Sequence, residues 1–474
     1  MVIGRLAETD QDSVDEQMDV IYETSEDPFA HEPVRHKALR VHSEQSMNAE
    51  TPEELLTENY LTPTPLFYIR HHHPVPFLTT QQIQNYRLEI DLGDGAISKK
   101  KTKKKKTKKN AANIKLSLED LKKLPKTEIV ATLQCSGNRR SEYNKYQRTT
   151  GTVWGQGALS TAKWGGVLLK DVLDHLGVEP DEAMEHARFY SLDGVMASVG
   201  VEKALNPYGD VLIAYEMNDE ILPRDHGYPL RVSYFALRKC GSRRVETYAY
   251  LSHTFNLHTQ IIIPGYAGIR NVKWLSKIEF AKEEAEGAWQ RGLNYKILPP
   301  SVTDASDVNI TEMPSMMEAS IFSGITKMEI LNAKKLRKAK PGDVIHVNVQ
   351  GWAWAGGGRN VVRVDAASTN AVASNMKSSN DDDDSPVLSS SVSPWVTATL
   401  KEGSEQRRGR AWAWTFWEAK NVPAIVNKDR TIEIACKAID SAFNVQPESS
   451  DHVWNVRGLG NNSWFRMKYQ LPKE

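Results

Sequence analysis

Residues 132–144, TLQCSGNRRSEYN, set one cysteine at the end of an apolar run, 129–133, and follow it with Ser136, Gly137 and Asn138. Such residues end strands and open turns, so the Cys135 thiol is expected at a strand-to-loop junction. Arg139 and Arg140 come next, and adjacent cations favour a thiolate, the form that acts as nucleophile or soft-metal ligand. Metal or anion chemistry is the functional reading of the stretch. The plain alternative is a buried structural cysteine beside two surface arginines.

A second candidate lies at 62–76, TPTPLFYIRHHHPVP, where the prolines exclude regular helix and favour extended chain. Three successive histidines suggest a metal, but neighbours on extended chain point to opposite faces, and no Cys or acidic partner stands at ligand spacing for zinc.

The stretch around Cys135 closely resembles the Cys-x-Gly-Asn-Arg-Arg signature of the molybdopterin-dependent sulfite oxidase and assimilatory nitrate reductase family. The likeness runs in register from about Leu61 to the C-terminus, interrupted by three insertions. It implies a molybdenum oxotransferase in which Cys135 and the pterin dithiolene hold the metal. The family pattern Arg-Asn-His-x-Pro-Val-Pro matches Arg70 to an anion-binding arginine and His72 to a pterin-contacting histidine, with His71 in place of the Asn and Tyr68 beside them. Trp154 matches the tryptophan that walls the substrate pocket. Asp193 and Ser198 match polar residues near the cofactor. His226 and Arg231, in DHGYPLR, match residues that hold the pterin and its phosphate, and Lys273, with Asn271 and Val272 in NVKWL, matches a phosphate-contacting lysine. A dianionic phosphate suits Arg and Lys because it takes charge-assisted hydrogen bonds. Tyr295 lies in LNYKILPPSV, which matches the sulfite oxidase form, and Arg457, in WNVRG, stands where the nitrate reductases have methionine. The implied substrate pocket is Arg70, Arg140, Arg457, Trp154 and Tyr295, with sulfite as substrate.

These residues need a scaffold of two domains. Residues 59–310 are expected to form a mixed α/β molybdopterin-binding domain. Within it, Ser117 caps a short helix with Glu119 and Asp120 in its first turn, and Val167, Leu168, Val172, Leu173 and Leu176 keep helical spacing. Residues 311–474 show alternating Ile345, Val347 and Val349, a hairpin turn at Gly356, Gly357 and Gly358, and a second alternating run that makes Cys436 an inward core residue. That pattern reads as a β-sandwich, and GWAWAGGGR, RAWAWTFWE, CKAIDSAFNVQP and WNVRG resemble the family's immunoglobulin-like dimerisation domain. The fold class is therefore α+β, and a homodimer is expected.

The three insertions fall near 97–112, 233–260 and 371–394. The first carries the lysine run 99–109, read as a solvated loop; the rival reading is a nucleic-acid patch, which the lack of interleaved aromatics disfavours. The second separates Arg231 from Lys273, is compositionally unlike its flanks, and is read as translated intronic sequence rather than a domain. The third is Ser- and Asp-rich and is expected to be disordered.

Composition bounds the rest. The chain has 474 residues, 40% hydrophobic and 25% charged, with zero formal net charge, so no global field argues for nucleic acid or membrane. Three cysteines make no disulfide framework. The acidic segment 1–58 is expected to be disordered; it resembles neither a transit nor a secretory peptide, and the C-terminus is not of the Ser-Lys-Leu type. The expectation is cytoplasmic, with the peroxisome and mitochondrial intermembrane space left open. No haem is expected, so electrons pass to oxygen or a separate cytochrome. The alternatives are a nitrate reductase molybdenum domain without haem and flavin domains, and a non-catalytic nucleic-acid binder acting through the lysine run.

Overall fold

The structure, a computed structural model, describes residues 27–93, 97–98, 113–228, 259–331, 333–369 and 395–472. The lysine run, Arg231, Cys240 and the third insertion lie outside the described residues, as do residues 1–26.

The disorder expected over 1–58 is corrected from Asp27 onward. Strands β1 (Arg40–Ser43) and β2 (Asn48–Glu50) pair antiparallel, and β2 pairs in turn with β3 (Ile69–Arg70). The segment has no amphipathic period, yet Leu39, Met47 and Ala49 close over Ile69 in a small core of their own. Further upstream, Arg35 is paired with Asp225, and His31 stacks on Phe77 at 4.2 Å. Long-range contacts, invisible to local pattern, fix this stretch.

The sheet that carries the cysteine runs Thr127–Gln134, Leu159–Leu168, Leu212–Met217, Glu220–Ile221, each strand antiparallel to the next, with Gln260–Ile262 also on Leu212–Met217. Thr127–Gln134 becomes continuously buried toward its end, which delivers Cys135 to the interior. A second five-stranded sheet, ordered Met196–Gly200, His186–Ser191, Leu275–Ala281, Leu88–Asp91, Asn113–Leu116, shares its core with the first through helix Leu169–Leu176. The helical spacing read across 167–176 is corrected at its start: Val167 and Leu168 end a strand, and the helix begins at Leu169. A run buried on both faces reads alike in either conformation. Ser117 caps helix Leu118–Lys122, accepting from the Asp120 N–H at 3.1 Å while Asp120 accepts from the Ser117 N–H.

Beyond Ala319 the chain forms two four-stranded antiparallel sheets. One holds Ile321–Ile330, Val344–Ala355, Thr415–Ile425 and Thr399–Leu400, the other Val396–Thr397, Val361–Ser368, Thr431–Asp440 and Phe465–Gln470. Val347, Val349, Ile432, Ile434 and Cys436 meet in the core between them. The hairpin expected at the triple glycine is corrected, because Val344–Ala355 and Val361–Ser368 belong to opposite sheets. Alternation identifies strands but not which strands pair.

The two units are joined through Arg139. Its φ of 64° turns the side chain away from Cys135, which corrects the idea that both arginines act on the thiol. Fully buried, the guanidinium is held by Glu142 at 2.6 Å and donates to the carbonyls of Ser323, Ser463 and Trp464 at 3.4, 2.8 and 3.2 Å. Arg139→Met should therefore lower the free energy of unfolding by about 3–5 kcal/mol, since it leaves Glu142 and three carbonyls without their donor. Denaturant titration checks this, and a change below ~0.5 kcal/mol, the range of an ordinary surface substitution, would refute it.

Candidate active site

Residues from 67–72, 133–136, 191–195 and 260–274, with His226 and Tyr295, enclose a cavity of about 690 Å³, mouth included. Cys135 sits on its wall where the strand stops. The Cys135 N–H donates to Ala158 O at 2.9 Å, its carbonyl accepts the Asn138 N–H at 2.9 Å, and Asn138 Oδ1 accepts the Ala158 N–H at 3.0 Å. The turn is thus stapled to the neighbouring strand, and the thiol is held at a fixed place.

Around the thiol gather cations. Arg70 comes from β3 and lines the cavity. Arg140 stands behind the wall on helix Arg140–Tyr146, donating to Gly458 O at 3.1 Å and Thr152 O at 2.6 Å. A Cβ at Gly137 or Gly458 would fall within 2.5 or 2.6 Å of this guanidinium, so both positions must lack one. Burial lowers the Arg140 pKa, and the charges acting on it most strongly are Cys135, Tyr295, Arg457 and Arg70, with no carboxylate among them. Arg457 donates to Thr150 Oγ1 at 2.8 Å and Asn294 Oδ1 at 3.0 Å, and its Nε has no partner among the described residues. Burial pushes the Tyr295 phenol up to about 12, against the pull of Arg70, Arg270 and Arg140, and its Oη lies 3.3 Å from His72 Nε2. A dry phenol ringed by guanidiniums is a site that attracts anions.

Further basic residues line the same cavity. Lys273, partly buried, donates to Asp225 O at 2.9 Å and Arg70 O at 3.2 Å. Desolvation first, opposed by Asp225 and Asp193, holds its pKa down to about 7. His71 places Nε2 at 3.2 Å from the same Asp225 carbonyl and leaves Nδ1 without a partner; burial keeps it neutral, and it keeps His226 down to about 3. Glu32, His71 and Asp225 converge as metal ligands could, but the Arg35 guanidinium bridges the two carboxylates and supplies the positive charge.

Of the residues singled out from sequence, Tyr68, Arg70, His71, His72, Cys135, Asp193, His226, Asn271, Val272, Lys273 and Tyr295 line this one cavity. Asn271 spends its amide on the turn it sits in, accepting from the Ile263 N–H at 2.7 Å and donating to Ala267 O at 3.3 Å. Trp154 is fully buried in the core cluster shared with Cys135 and Tyr68, its indole N–H unpartnered, and does not itself line the cavity. Ser198 is set apart, accepting from the Ala285 N–H at 2.9 Å in the wall of the second sheet. Sequence reading missed Arg270, whose guanidinium lies 5.9 Å from the Tyr295 ring. The Gly268-Ile269-Arg270 turn just before Asn271 was its only signal. Among cavity-lining residues, His71 Nδ1, Ser136 Oγ and Gln260 Oε1 have no hydrogen-bond partner among the described residues, so the cavity suits a polar occupant.

Comparison with known proteins agrees with this geometry. Residues 73–242 match the family described as "Oxidoreductase molybdopterin binding domain", and 315–471 match "Mo-co oxidoreductase dimerisation domain". The chain is 37% identical to the mitochondrial sulfite oxidase of Rattus norvegicus over 94% of its own length and 68% of that protein. It is 33% identical to the sulfite oxidase of Arabidopsis thaliana over 94% and 96% of the two chains, and 29% identical to the nitrate reductase of Hordeum vulgare over 92% and 42%. Among solved structures, the sulfane dehydrogenase SoxCD from Paracoccus pantotrophus shares the fold, with a TM-score of 0.58 at 20% identity over 93% of this chain and 88% of that one. A thiol, a lysine, neutral histidines and unpaired polar atoms lining one cavity fit a metal-bearing pterin phosphate.

Lys273 gives this site a pH signature. Burial holds its folded pKa down to about 7, below the ordinary lysine value of 10.5, so between those limits the unfolded chain holds the extra proton. Unfolding free energy must then rise with pH across that window. Protein freed of cofactor should gain thermal stability from pH 7 to 9 in part through this lysine, and Lys273→Met should be the more stable form at pH 7 and show a flatter profile. Parallel melting curves for the two proteins would contradict it.

Proposed function

Because the chain belongs to the molybdopterin-dependent sulfite oxidase family, we propose that it oxidises sulfite to sulfate at a molybdenum–molybdopterin centre seated in this cavity. The observation that carries the reading is that Arg70 and Arg140, which act on Tyr295 and flank the Cys135 thiol, donate to neutral partners and form no ion pair among the described residues. The bound cofactor supplies the oxygen atom that sulfite gains and accepts the two electrons it loses. Cys135 offers the soft thiolate ligand for the metal. Lys273, with His71 and His226 neutral around it, would receive the pterin phosphate, whose negative charge offsets the cost of charging this lysine in its desolvated site.

Arg70, on the cavity wall, draws the sulfite dianion in and orients it by charge-assisted donors, and Arg140 behind the wall adds its charge. Tyr295, kept protonated by burial, adds a neutral hydrogen-bond donor, its Oη standing 3.3 Å from His72 Nε2. Water is excluded by the aromatic floor of Phe67, Tyr68 and Trp274, which strengthens each of these contacts. The two-sheet unit serves as an immunoglobulin-like dimerisation module, and the electrons leave to oxygen or a separate cytochrome.

Sulfite oxidation and nitrate reduction measured side by side on the purified protein test the reading, and faster nitrate reduction would replace it. Two variants sharpen it. Cys135→Ser replaces a soft ligand with a hard one, so molybdenum content and sulfite turnover should both collapse with little change in melting temperature. Near-normal turnover would remove the thiol from the metal. Arg457→Met should raise the Michaelis constant for sulfite roughly ten- to a hundredfold, the worth of one charge-assisted hydrogen bond at ~1.5–3 kcal/mol. A loss of stability with an unchanged Michaelis constant would make Arg457 a support for the domain junction alone.

A further inference from the structure

The β1–β2 hairpin, expected to be disordered, reaches the cavity through one amide. Arg70 Nη1 donates to Asn48 Oδ1 at 3.0 Å and to the His71 carbonyl. Asn48 stands directly opposite Arg70 in the β2–β3 register and is 7% exposed. Its Nδ2 donates to Ser43 Oγ at 2.7 Å and Ser46 O at 3.0 Å, both within the hairpin. Those two donations fix the amide's orientation, because the flipped form would turn its N–H groups on the guanidinium. The oxygen presented to Arg70 is neutral. The nearest carboxylate on the same strand, Glu50, is taken up by Arg40 at 3.3 Å and His42 at 3.1 Å.

We propose that Asn48 is a positioning residue for anion binding, aiming the Arg70 guanidinium into the cavity without neutralising its charge. The hairpin is thereby part of the substrate site. An aspartate would keep the acceptor for Arg70 but pair with its charge and lose the donation to Ser46 O, whereas alanine removes the acceptor without adding charge, so the two variants together separate charge from geometry. The inference rests on the sulfite reading given above.

The test uses the intact molybdenum-loaded protein with Asn48→Asp and Asn48→Ala, each alone and combined with Arg70→Gln. Sulfite kinetics, sulfate affinity by calorimetry, molybdenum content and melting temperature are measured. Asn48→Asp should raise the Michaelis constant for sulfite at least tenfold with kcat within about twofold, and weaken sulfate binding by the same factor. Asn48→Ala should give a several-fold effect in both, and either change should add nothing in the Arg70→Gln background. Sulfate bound as tightly by Asn48→Asp as by the unmodified protein would overturn the proposal, as would an effect that persists undiminished without Arg70. Should Asn48→Asp fail to fold, Asn48→Ala reads the same two quantities. Absence of sulfite turnover in the unmodified protein would instead sink the sulfite reading and leave the calorimetric test of Asn48 standing.

Discussion

Like charges gathered out of water must be stabilised by something other than their own counter-ions if they are to bind an anion. The site arginines meet this constraint with neutral partners. Arg140 donates to the carbonyls of Thr152 and Gly458, Arg270 to Met316 O and Trp289 O, Arg457 to a threonine and an asparagine, and Arg70 to Asn48 and a carbonyl. Carbonyl and amide dipoles satisfy the N–H groups yet leave the charge in place. Elsewhere Arg139, Arg35 and Arg410 are each held by a carboxylate, whereas Arg430 donates to three backbone carbonyls.

The same constraint explains why two structural units and the hairpin are all needed. The second unit supplies Arg457 and the Gly458 carbonyl, and Arg139 ties that segment down by donating to Ser463 and Trp464. Thr132 and Trp414 add a junction of their own, with the Trp414 N–H donating to Thr132 Oγ1 at 2.8 Å three residues before the cysteine. The anion site is thus assembled across the junction, and loosening the junction would loosen the site.

Much of this was legible in the sequence, for identifiable reasons. Cys135 could be placed at a strand end because apolar and turn residues change over within three positions. The cavity-lining residues could be gathered because the family motifs keep their order. What failed was what depends on long-range pairing: the triple glycine looked like a hairpin yet joins two sheets, Val167 looked helical, and the Asn48 hairpin has no local period. Arg139 and Arg140 were alike as letters, and only a positive φ at Arg139 sends them to opposite tasks. The second insertion broke the register between Arg231 and Lys273, but its described flanks stay together, since a Cβ at Gly227 would lie 3.2 Å from Gln260 Cβ. A long excursion whose ends meet adds little closure cost.

The central claim is that these arginines, Cys135 and Lys273 form one receptor for a molybdenum-bearing anionic cofactor and an anionic substrate. Metal analysis of the purified, intact protein tests it most directly. Molybdenum approaching one atom per chain, released together with a phosphorylated pterin on denaturation, is the predicted result. A correctly folded protein, expressed in cells that make the cofactor and yet containing neither, would contradict it.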